Sequence, residues 1–227
     1  MKRLTVLTGA GISAESGLKT FRDSNGLWEE YDVMQVASIE GWNRDPEIVL
    51  RFYNDRRKQL EFTEPNRAHF GLAELEKHFE VSVITQNVDN LHEKAGSSQV
   101  LHLHGELTKA CSVENKNIVK NIGYREILPG ETGEDGKQLR PYIVWFGEAV
   151  PAIGKAIPLV KEADYLAVIG TSLNVYPAAG LLDYRKSGSA VYIIDPKEIS
   201  IHIENAYHIK ENAGTGIDKL IELLLKK

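Results

Sequence analysis

Cysteine is nearly absent from this sequence of 227 residues, in which Cys111 is the only one. A single thiol excludes the internal disulfide framework that small secreted domains use. The sequence also contains no apolar run long enough for a transmembrane helix and no segment with the pattern of a signal peptide. These absences predict a protein of the cytoplasm.

The sequence also lacks an excess of positive charge. It contains 27 Lys and Arg residues and 32 Asp and Glu residues, which gives a net charge of -5 at pH 7. This balance gives no general attraction to nucleic acid or to an anionic membrane, and we expect neither as a partner. With 42% hydrophobic residues, the chain can bury one core with a smaller lobe attached, but not two full domains. We therefore expect a single enzyme-sized unit that acts as a monomer.

What the sequence does have is a glycine turn directly behind an apolar segment. Residues 4–7 predict a short strand, and Gly9-Ala10-Gly11 follows it before a predicted helix over residues 12–16. Glycines let backbone N–H groups approach a phosphate closely, and a helix N-terminus adds roughly half a positive charge. The pattern G-x-G-x-x-A therefore indicates a dinucleotide site, although it also fits a plain strand-to-helix turn.

The second strand of an ordinary Rossmann unit is missing. Such a unit brings a strand that ends in an acidic residue within ~30 residues of the glycine turn, and none follows here. Instead, Thr20-Phe21-Arg22-Asp23 places an aromatic ring and a guanidinium in a loop near the predicted phosphate site. Phe21 could equally be a core residue beside a solvated Arg22.

Residues 29–79 predict a helical insertion in place of that strand. Asp45-Pro46 fits an N-cap followed by proline at the first helical position. The residues that recur behind it at helical spacing are Val49, Phe52, Tyr53, Arg56 and Leu60. Tyr53 and Arg56 therefore share one face of this helix, and a second helix is predicted from about residue 66 to 79.

The predicted sheet resumes at residues 81–85, and the polar cluster Gln86-Asn87-Val88-Asp89 comes directly after it. Open α/β sheets bind ligands at the carboxyl ends of their strands, so the cluster is well placed for function. Asn and Asp also cap helices, and position alone does not separate the two interpretations. A strand over residues 100–102 brings His104 to the same edge, where a lone histidine is either catalytic or structural.

The remaining chain alternates between strands and helices around one polar segment. Residues 106–140 are rich in Gly, Glu and Lys, which predicts an exposed and partly flexible excursion with little core of its own. We then predict strands over 142–146, 165–169 and 190–194, and helices over 152–163 and 216–224. Gly170-Thr171-Ser172 ends the second of these strands, where small residues cradle a ribose or phosphate or simply make a turn. This order predicts an α/β fold.

Seven short motifs span nearly the whole chain: GAGIS (9–13), TFRD (20–23), PNRAH (65–69), TQNVDNLH (85–92), HG (104–105), RPYIVWFGE (140–148) and GTSLNVYPA (170–178). In this order and spacing they resemble the sirtuins, the NAD-dependent protein deacylases. The resemblance implies NAD as cofactor, acylated lysine as substrate, and a Rossmann-like parallel sheet with helices on both faces. It also implies a Rossmann-like domain formed by residues 1–28, 80–105 and 141–227, with a small lobe made of insertions 29–79 and 106–140.

The resemblance also implies roles for individual residues. His104 matches the general base, whose ordinary pKa of ~6.5 suits proton removal near neutral pH. Asn87, the second catalytic residue, and Asp89 match the residues that seat the nicotinamide ribose and carboxamide. The other implied cofactor contacts are Gly9, Ala10, Gly11, Ile12, Phe21, Arg22, Trp28, Gln86, Gly170, Thr171, Ser172, Asp195 and Ala213. Among them, Asp195 stands where the family more often has Asn.

Two groups of residues are implied in substrate binding. Val144, Phe146 and Gly147 offer a strand edge for the peptide, although an internal strand whose edges are already taken fits these residues as well. Tyr53 and Arg56 match the Tyr-x-x-Arg pair of sirtuins that act on acidic acyl-lysines such as succinyl- and malonyl-lysine, and Ala37 falls where that class keeps a small residue. In the alternative, Arg56 only pairs with a nearby surface acid, namely Asp55, Glu47 or Glu64.

The segment 106–140 departs from the family pattern. Most sirtuins fold it around zinc held by four cysteines in two Cys-x-x-Cys pairs, whereas here it contains only Cys111 and no histidine. We therefore expect no bound metal. The alternative activities are NAD hydrolysis and ADP-ribose transfer to protein, and the alternative outside catalysis is an NAD-sensing module. The presence of Asn87, Asp89 and His104 argues against a module without catalysis.

Overall fold

The computed structural model describes residues 1–18, 27–28 (backbone only), 31–171, 178–197 and 203–226, and a six-stranded sheet forms the centre of this part. With labels in chain order, its strands are β1 (Arg3–Thr8), β4 (Glu80–Thr85), β5 (Val100–His102), β9 (Tyr165–Ile169), β10 (Val191–Ile194) and β11 (Ala206–Ile209). Across the sheet they run in the order β11-β10-β9-β1-β4-β5. Each of these pairings is parallel, which confirms the predicted fold class.

β1 lies in the middle of the sheet and is covered on both faces. Leu4 and Val6 belong to the core on one face, and Leu7 belongs to the core on the other. Val6 is in register with Val83 of β4 and with Ala167 of β9. A continuous apolar segment is typical of such a doubly covered parallel strand, and it brings the turn after β1 to the carboxyl edge of the sheet.

Helices pack against both faces of the sheet. On one face, α4 (Arg67–Leu75) and α7 (Ala213–Leu225) cover Leu4 and Val6. On the other face, α6 (Ile153–Glu162) and a 3-10 helix (Ala178–Tyr184) pack around Leu7. Among the described helices, none is both long enough and apolar enough to cross a membrane.

A second core lies outside this sheet and joins two insertions. Between residue 18 and α4 the chain forms β2 (Leu27–Trp28), β3 (Tyr31–Asp32), α1 (Val33–Val36), α2 (Ile39–Arg44) and α3 (Pro46–Glu61). Between β4 and α6, apart from β5, it forms α5 (Leu91–Lys94), β6 (Gly105–Ser112), β7 (Val119–Asn121) and β8 (Leu139–Ile143). β7, β6 and β8 form an antiparallel sheet. Asp45 accepts the N–H of Ile48 and so caps α3, with Pro46 in the first turn as predicted.

Helix α4 packs on the main sheet and against α7. Its residues Ala68 and Leu72 are fully buried in the same core as Leu4. The helix approaches α7 so closely that a Cβ at Gly71 would lie 2.5 Å from Cγ1 of Ile217. The domain boundaries remain a prediction, and this packing favours ending the helical insertion before residue 67.

The polar segment 106–140 is ordered by strands and by hydrogen bonds to α3. Asn54 on α3 accepts the N–H of Ile127 and donates to its carbonyl oxygen, both at 3.0 Å. The fully buried Arg57 donates to the carbonyl oxygen of Arg125 at 3.0 Å. Leu107, Ile127 and Leu139 are buried in the core that α3 shares. The segment is largely exposed and has little core of its own, as expected, because its buried side chains join the core that α3 shares; its flexibility stays a prediction.

Side chains also hold the two ends of this segment together. The Ser112 hydroxyl accepts the N–H groups of Glu114 and Asn115 at 3.1 and 3.3 Å, and it donates to the carboxylate of Asp135. Cys111 is buried beside this serine, and burial raises the pKa of its thiol. In the described part of the chain, no group of three or more His, Cys, Asp or Glu side chains is arranged to hold a metal ion.

We predict that the purified protein, freed of any histidine tag, contains no stoichiometric zinc. A structural zinc site needs four ligands, and one cysteine does not supply them. Strong chelators should leave the melting temperature unchanged, because no metal binding is coupled to folding. Elemental analysis that returns one zinc per chain, together with a melting temperature that falls on chelation, would contradict this prediction.

Candidate active site

A cavity of about 660 Å³ opens at the carboxyl edge of the main sheet. Residues that follow β1, β4, β9 and β10 line one side of it, and residues from α3 and from the loop after β8 line the other. Parallel α/β sheets bind their ligands at this edge. The cavity is therefore the place where the predicted site residues are expected to meet.

The glycine turn after β1 forms the floor of the cavity together with the turn after β9. Gly11 donates its N–H to the carbonyl oxygen of Gly170 at 2.9 Å. A Cβ on Gly11 would lie 2.7 Å from Cα of Gly170, and Gly170 itself has φ +64°. Backbone therefore packs directly on backbone here. Only glycine fits at these positions, and the joined turns, the glycine cradle, line the cavity at the first turn of a 3-10 helix (Ala10–Ser16), where a dinucleotide phosphate is expected to bind.

The polar cluster after β4 is tied to this turn by a serine. Asn87 donates through Nδ2 to Oγ of Ser13 at 3.1 Å, and Ser13 donates to Oδ2 of Asp89 at 3.1 Å. All three side chains are buried and line the cavity. Asp89 also accepts the N–H of Leu91 at 3.2 Å at the start of α5, so it takes part in capping that helix, while its role in the site stays a prediction. Burial raises the pKa of the Asp89 carboxyl, although the bonds from Leu91 and Ser13 oppose this shift.

Sequence reasoning did not single out Ser13, although it lies within the first motif. It also did not identify two fully buried histidines beneath the cluster, His69 and His92, whose rings lie 4.9 Å apart between centroids. Thr8 Oγ1 lies 3.0 Å from Nε2 of His92. Burial lowers the pKa of His69 to about 4 and that of His92 well below its ordinary value, so both rings are neutral. They are the last residues of the motifs PNRAH and TQNVDNLH, which is the signal in the sequence that could have found them.

His104 faces the cavity with one ring nitrogen fixed. Its Nδ1 lies 3.0 Å from the carbonyl oxygen of Gln86, and a carbonyl requires a donor, so Nδ1 carries the hydrogen. Nε2 of the neutral ring is then an acceptor. Burial lowers the pKa of His104, and the bond to Gln86 opposes this only in part. The ring is therefore suited to accept a proton at Nε2 near neutral pH.

The other end of the cavity gathers residues from three further elements. Gln86 donates through Nε2 to Oγ1 of Thr171 at 2.9 Å. Asp195, buried behind β10, accepts the N–H of Lys197 at 2.9 Å. Ala213 opens α7 and lines the same space. Gln86, Thr171, Asp195 and Ala213 therefore line one cavity, as binding of the adenosine half of NAD would require. Their roles in binding stay predictions.

Tyr53 and Arg56 project from α3 into the cavity, as their shared face predicted. Tyr53 is only 1% exposed, and its hydroxyl oxygen accepts the indole N–H of Trp145 at 3.0 Å. Burial raises the pKa of Tyr53 to about 12, so the hydroxyl keeps its proton. Arg56 is 6% exposed, with its guanidinium carbon 5.7 Å from the centroid of the Phe52 ring. Ala37 also lines this region, and so do three residues that sequence reasoning missed: Leu18, Leu60 and Leu107.

Comparison with known proteins identifies the chain, since residues 9–177 match the Sir2 family. The chain belongs to the Sir2 family. An NAD-dependent protein deacylase of Bacteroides thetaiotaomicron is 56% identical over 231 residues, which cover 99% of each protein. A Sir2 homologue in complex with NAD has TM-score 0.89 and 39% identity, covering 99% of this chain and 90% of that one. A Sir2 structure with a deacetylated p53 peptide and 3′-O-acetyl-ADP-ribose has TM-score 0.83 and 31% identity, with 97% and 92% covered.

In this Sir2-family chain, the predicted strand edge at residues 144–147 needs correction. β8 ends at Ile143, three residues earlier than predicted. The N–H of Phe146 donates to the carbonyl oxygen of Ala37 at 2.8 Å, and its own carbonyl oxygen accepts the N–H of Ile39 at 3.2 Å. The backbone edge at Phe146 is therefore taken. Val144, Phe146 and Gly147 still line the cavity, so contact with substrate stays a prediction for them.

Five further predicted contacts of the Sir2 cofactor have different outcomes. Ile12 is fully buried in the sheet core, and its carbonyl oxygen accepts a bond from Asn66 at 2.7 Å, so its side chain does not reach the cavity. Phe21, Arg22, Ser172 and the side chain of Trp28 lie outside the described residues. Their roles stay predictions from the family motifs.

Proposed function

We propose that this chain is an NAD-dependent protein deacylase, which removes acyl groups from lysine side chains with release of nicotinamide and O-acyl-ADP-ribose. The observation that carries this is the convergence of the glycine cradle, the Asn87–Ser13–Asp89 cluster and the neutral His104 ring on one cavity. Curated relatives of the full length bear the name NAD-dependent protein deacylase, which supports it. When bound, NAD supplies the ribose carbon that loses nicotinamide and accepts the acyl oxygen.

The protein groups act by binding, orientation and proton transfer. The N–H groups of Gly9, Gly11 and Gly170 are bonded within the protein, so the cradle acts by letting a phosphate come close to the backbone at the first turn of the 3-10 helix. Asn87 and Asp89, whose side chains are both hydrogen-bonded to the Ser13 hydroxyl, orient the nicotinamide end of the cofactor. His104 then accepts a ribose hydroxyl proton at Nε2, because Nδ1 is fixed by Gln86. The buried setting excludes water that would otherwise compete as acceptor.

The acyl group that we propose is an acidic one, succinyl or malonyl, with acetyl also accepted. A carboxylate at the end of the acyl chain meets the Arg56 guanidinium and the Tyr53 O–H, which keeps its proton because its pKa is raised to about 12. The Tyr53 oxygen already accepts from Trp145, which orients the phenol. Arg56 is buried, whereas Asp55, Glu47 and Glu64 are exposed. This difference in burial argues against the alternative in which Arg56 only forms a surface ion pair with one of these acids.

One assay tests the proposed function. The protein is incubated with NAD and with acetyl-, succinyl- or malonyl-lysine peptides, or the unmodified peptide, while nicotinamide, acyl-ADP-ribose and free ADP-ribose are followed. We expect nicotinamide and acyl-ADP-ribose in equal amounts, only with acylated peptides. Free ADP-ribose formed without peptide would instead indicate an NAD hydrolase, and protein that carries covalently attached ADP-ribose would indicate ADP-ribose transfer.

We further propose that the protein is a monomer and that it acts on proteins in the cytoplasm. Light scattering would check the oligomeric state, and cell fractionation would check the location.

A further inference from the structure

His102 lies two residues before the proposed base and contacts two different elements. Its Nδ1 is 3.0 Å from the carbonyl oxygen of Asn87, and its Nε2 is 2.8 Å from Oε1 of Glu93 on α5. Only 6% of its side chain is exposed. The ring therefore bridges the polar cluster after β4 and the helix that follows it.

Both contacts of this ring are with hydrogen-bond acceptors. A neutral imidazole carries one N–H, so one contact would set a ring lone pair against an oxygen lone pair, whereas the imidazolium donates to both oxygens. Burial lowers the pKa of His102, but the bond to Glu93 and its charge outweigh this and leave the pKa above its ordinary value. The same bond lowers the pKa of Glu93 despite the opposing effect of its burial.

The groups that face this pair come from three elements. They are Asp89 in the loop after β4, His92 on α5, and Glu106 and Lys109 on β6. His92 is neutral, and Lys109 is bound to Glu106 at 2.5 Å. The carboxylates of Asp89 and Glu106 are negative when ionised and favour a cationic ring, whereas the Lys109 ammonium beside Glu106 opposes this in part.

The two histidines of this strand end hold consecutive carbonyl groups. His104 binds the carbonyl oxygen of Gln86, and His102 binds that of Asn87. We propose that His102, as a cation paired with Glu93, is a positioning residue that fixes the backbone of Asn87 and so orients Asn87 and Asp89 toward the cofactor. This inference rests on the proposed function. Since a small misplacement of a binding group costs up to about 10²-fold in rate, loss of this clamp is expected to be visible in turnover.

Three variants and a pH profile test the proposal. Loss of the proton from the His102 cation should give kcat/KM for NAD an alkaline limb. Glu93→Gln keeps an acceptor but removes the negative charge that stabilises this cation, so the limb should move down by about one to three pH units. His102→Gln keeps a donor that does not titrate, so it should lose about tenfold in kcat/KM at pH 7 and lack this limb. His102→Leu should lose about 100-fold, with KM for the acyl peptide unchanged. Titration of Tyr53 does not contribute to this alkaline limb, because burial raises the pKa of its hydroxyl to about 12.

A spectroscopic readout separates this proposal from the proposed function. In ¹⁵N-histidine NMR of the wild-type protein, both ring nitrogens of His102 should be protonated at pH 7, whether or not the protein is active. His78→Gln, at an exposed histidine, is the matched control and should change neither activity nor the limb. A neutral His102 ring, or an alkaline limb that stays in place in both Glu93→Gln and His102→Gln, would overturn the positioning role. An inactive wild type with a cationic ring would overturn the deacylase function alone.

Discussion

His104→Ala is expected to lower kcat for deacylation by about 10²–10⁴-fold, the range typical for loss of a general base. The ring is held by one bond from Nδ1 to Gln86, and its Nε2 faces the cavity, where alanine leaves no acceptor for a proton. Affinity for NAD should be largely retained, because the glycine cradle and the hydrogen bonds among Asn87, Ser13 and Asp89 are made without this ring, and His102 still holds the carbonyl oxygen of Asn87. Kinetics with acetyl peptide and calorimetric titration of NAD measure the two quantities.

A matched control for this variant is His78→Ala, since His78 is exposed and lies away from the cavity. It should change neither kcat nor NAD affinity. If His104→Ala lost NAD affinity but turned over at the wild-type rate when saturated, the residue would be a cofactor-binding group and the assigned role would be wrong. A fall in melting temperature of both variants alike would instead point to a general effect of removing histidine.

The pH dependence of the wild-type enzyme follows from the same ring. Burial lowers the pKa of His104 below its ordinary value of ~6.5, so the neutral, proton-accepting form is present throughout the neutral range. As pH falls through that lowered value, the ring becomes cationic and deacylation is lost. The acidic limb of kcat/KM, which reports ionisations of the free enzyme, should therefore lie below pH ~6.5, and a limb clearly above this value would mean that another group controls it.

Local patterns in the sequence were enough to predict the elements around the cradle. The apolar segment of β1, the Gly9–Gly11 turn and the Asp45-Pro46 start of α3 each follow from short-range geometry, and the structure places them as expected. The meeting of His104 with Gln86 follows from parallel strands ending at one edge. These features depend on few residues, so the sequence alone specifies them.

Features that depend on distant partners could not be predicted in this way. Nothing in the helical spacing of α4 tells which core it joins, and only the burial of Ala68 and Leu72 in the core around Leu4 places it on the main sheet. The Phe146 backbone looks like a strand continuation in the sequence, but its bonds to Ala37 and Ile39 come from another segment. The bridge from His102 to Glu93 likewise forms only when α5 packs beside β5.

Replacement of Arg56 by Met is expected to erase the preference for acidic acyl groups. A guanidinium can donate two charge-assisted hydrogen bonds to a carboxylate, each of roughly 1.5–3 kcal/mol, whereas methionine donates none. The lost transition-state binding corresponds to about 10²–10⁴-fold in kcat/KM for succinyl- or malonyl-lysine peptides. Acetyl-lysine has no terminal carboxylate, so its turnover should be spared.

Tyr53→Phe should produce a smaller loss in the same direction, since it removes the phenol donor and leaves the guanidinium in place. Arg51→Met is the matched control, because Arg51 lies on the same helix but is exposed. It should leave both substrates unaffected. The measurement is the ratio of kcat/KM for succinyl and acetyl versions of one peptide, which cancels differences in protein concentration and in cofactor binding. Equal losses of Arg56→Met on both substrates, with a lowered melting temperature, would mean that Arg56 supports the helix. The claim of acidic acyl specificity would then have to be withdrawn. A ratio that collapses while acetyl turnover persists assigns the specificity to the buried guanidinium, because only a substrate carboxylate responds to that charge.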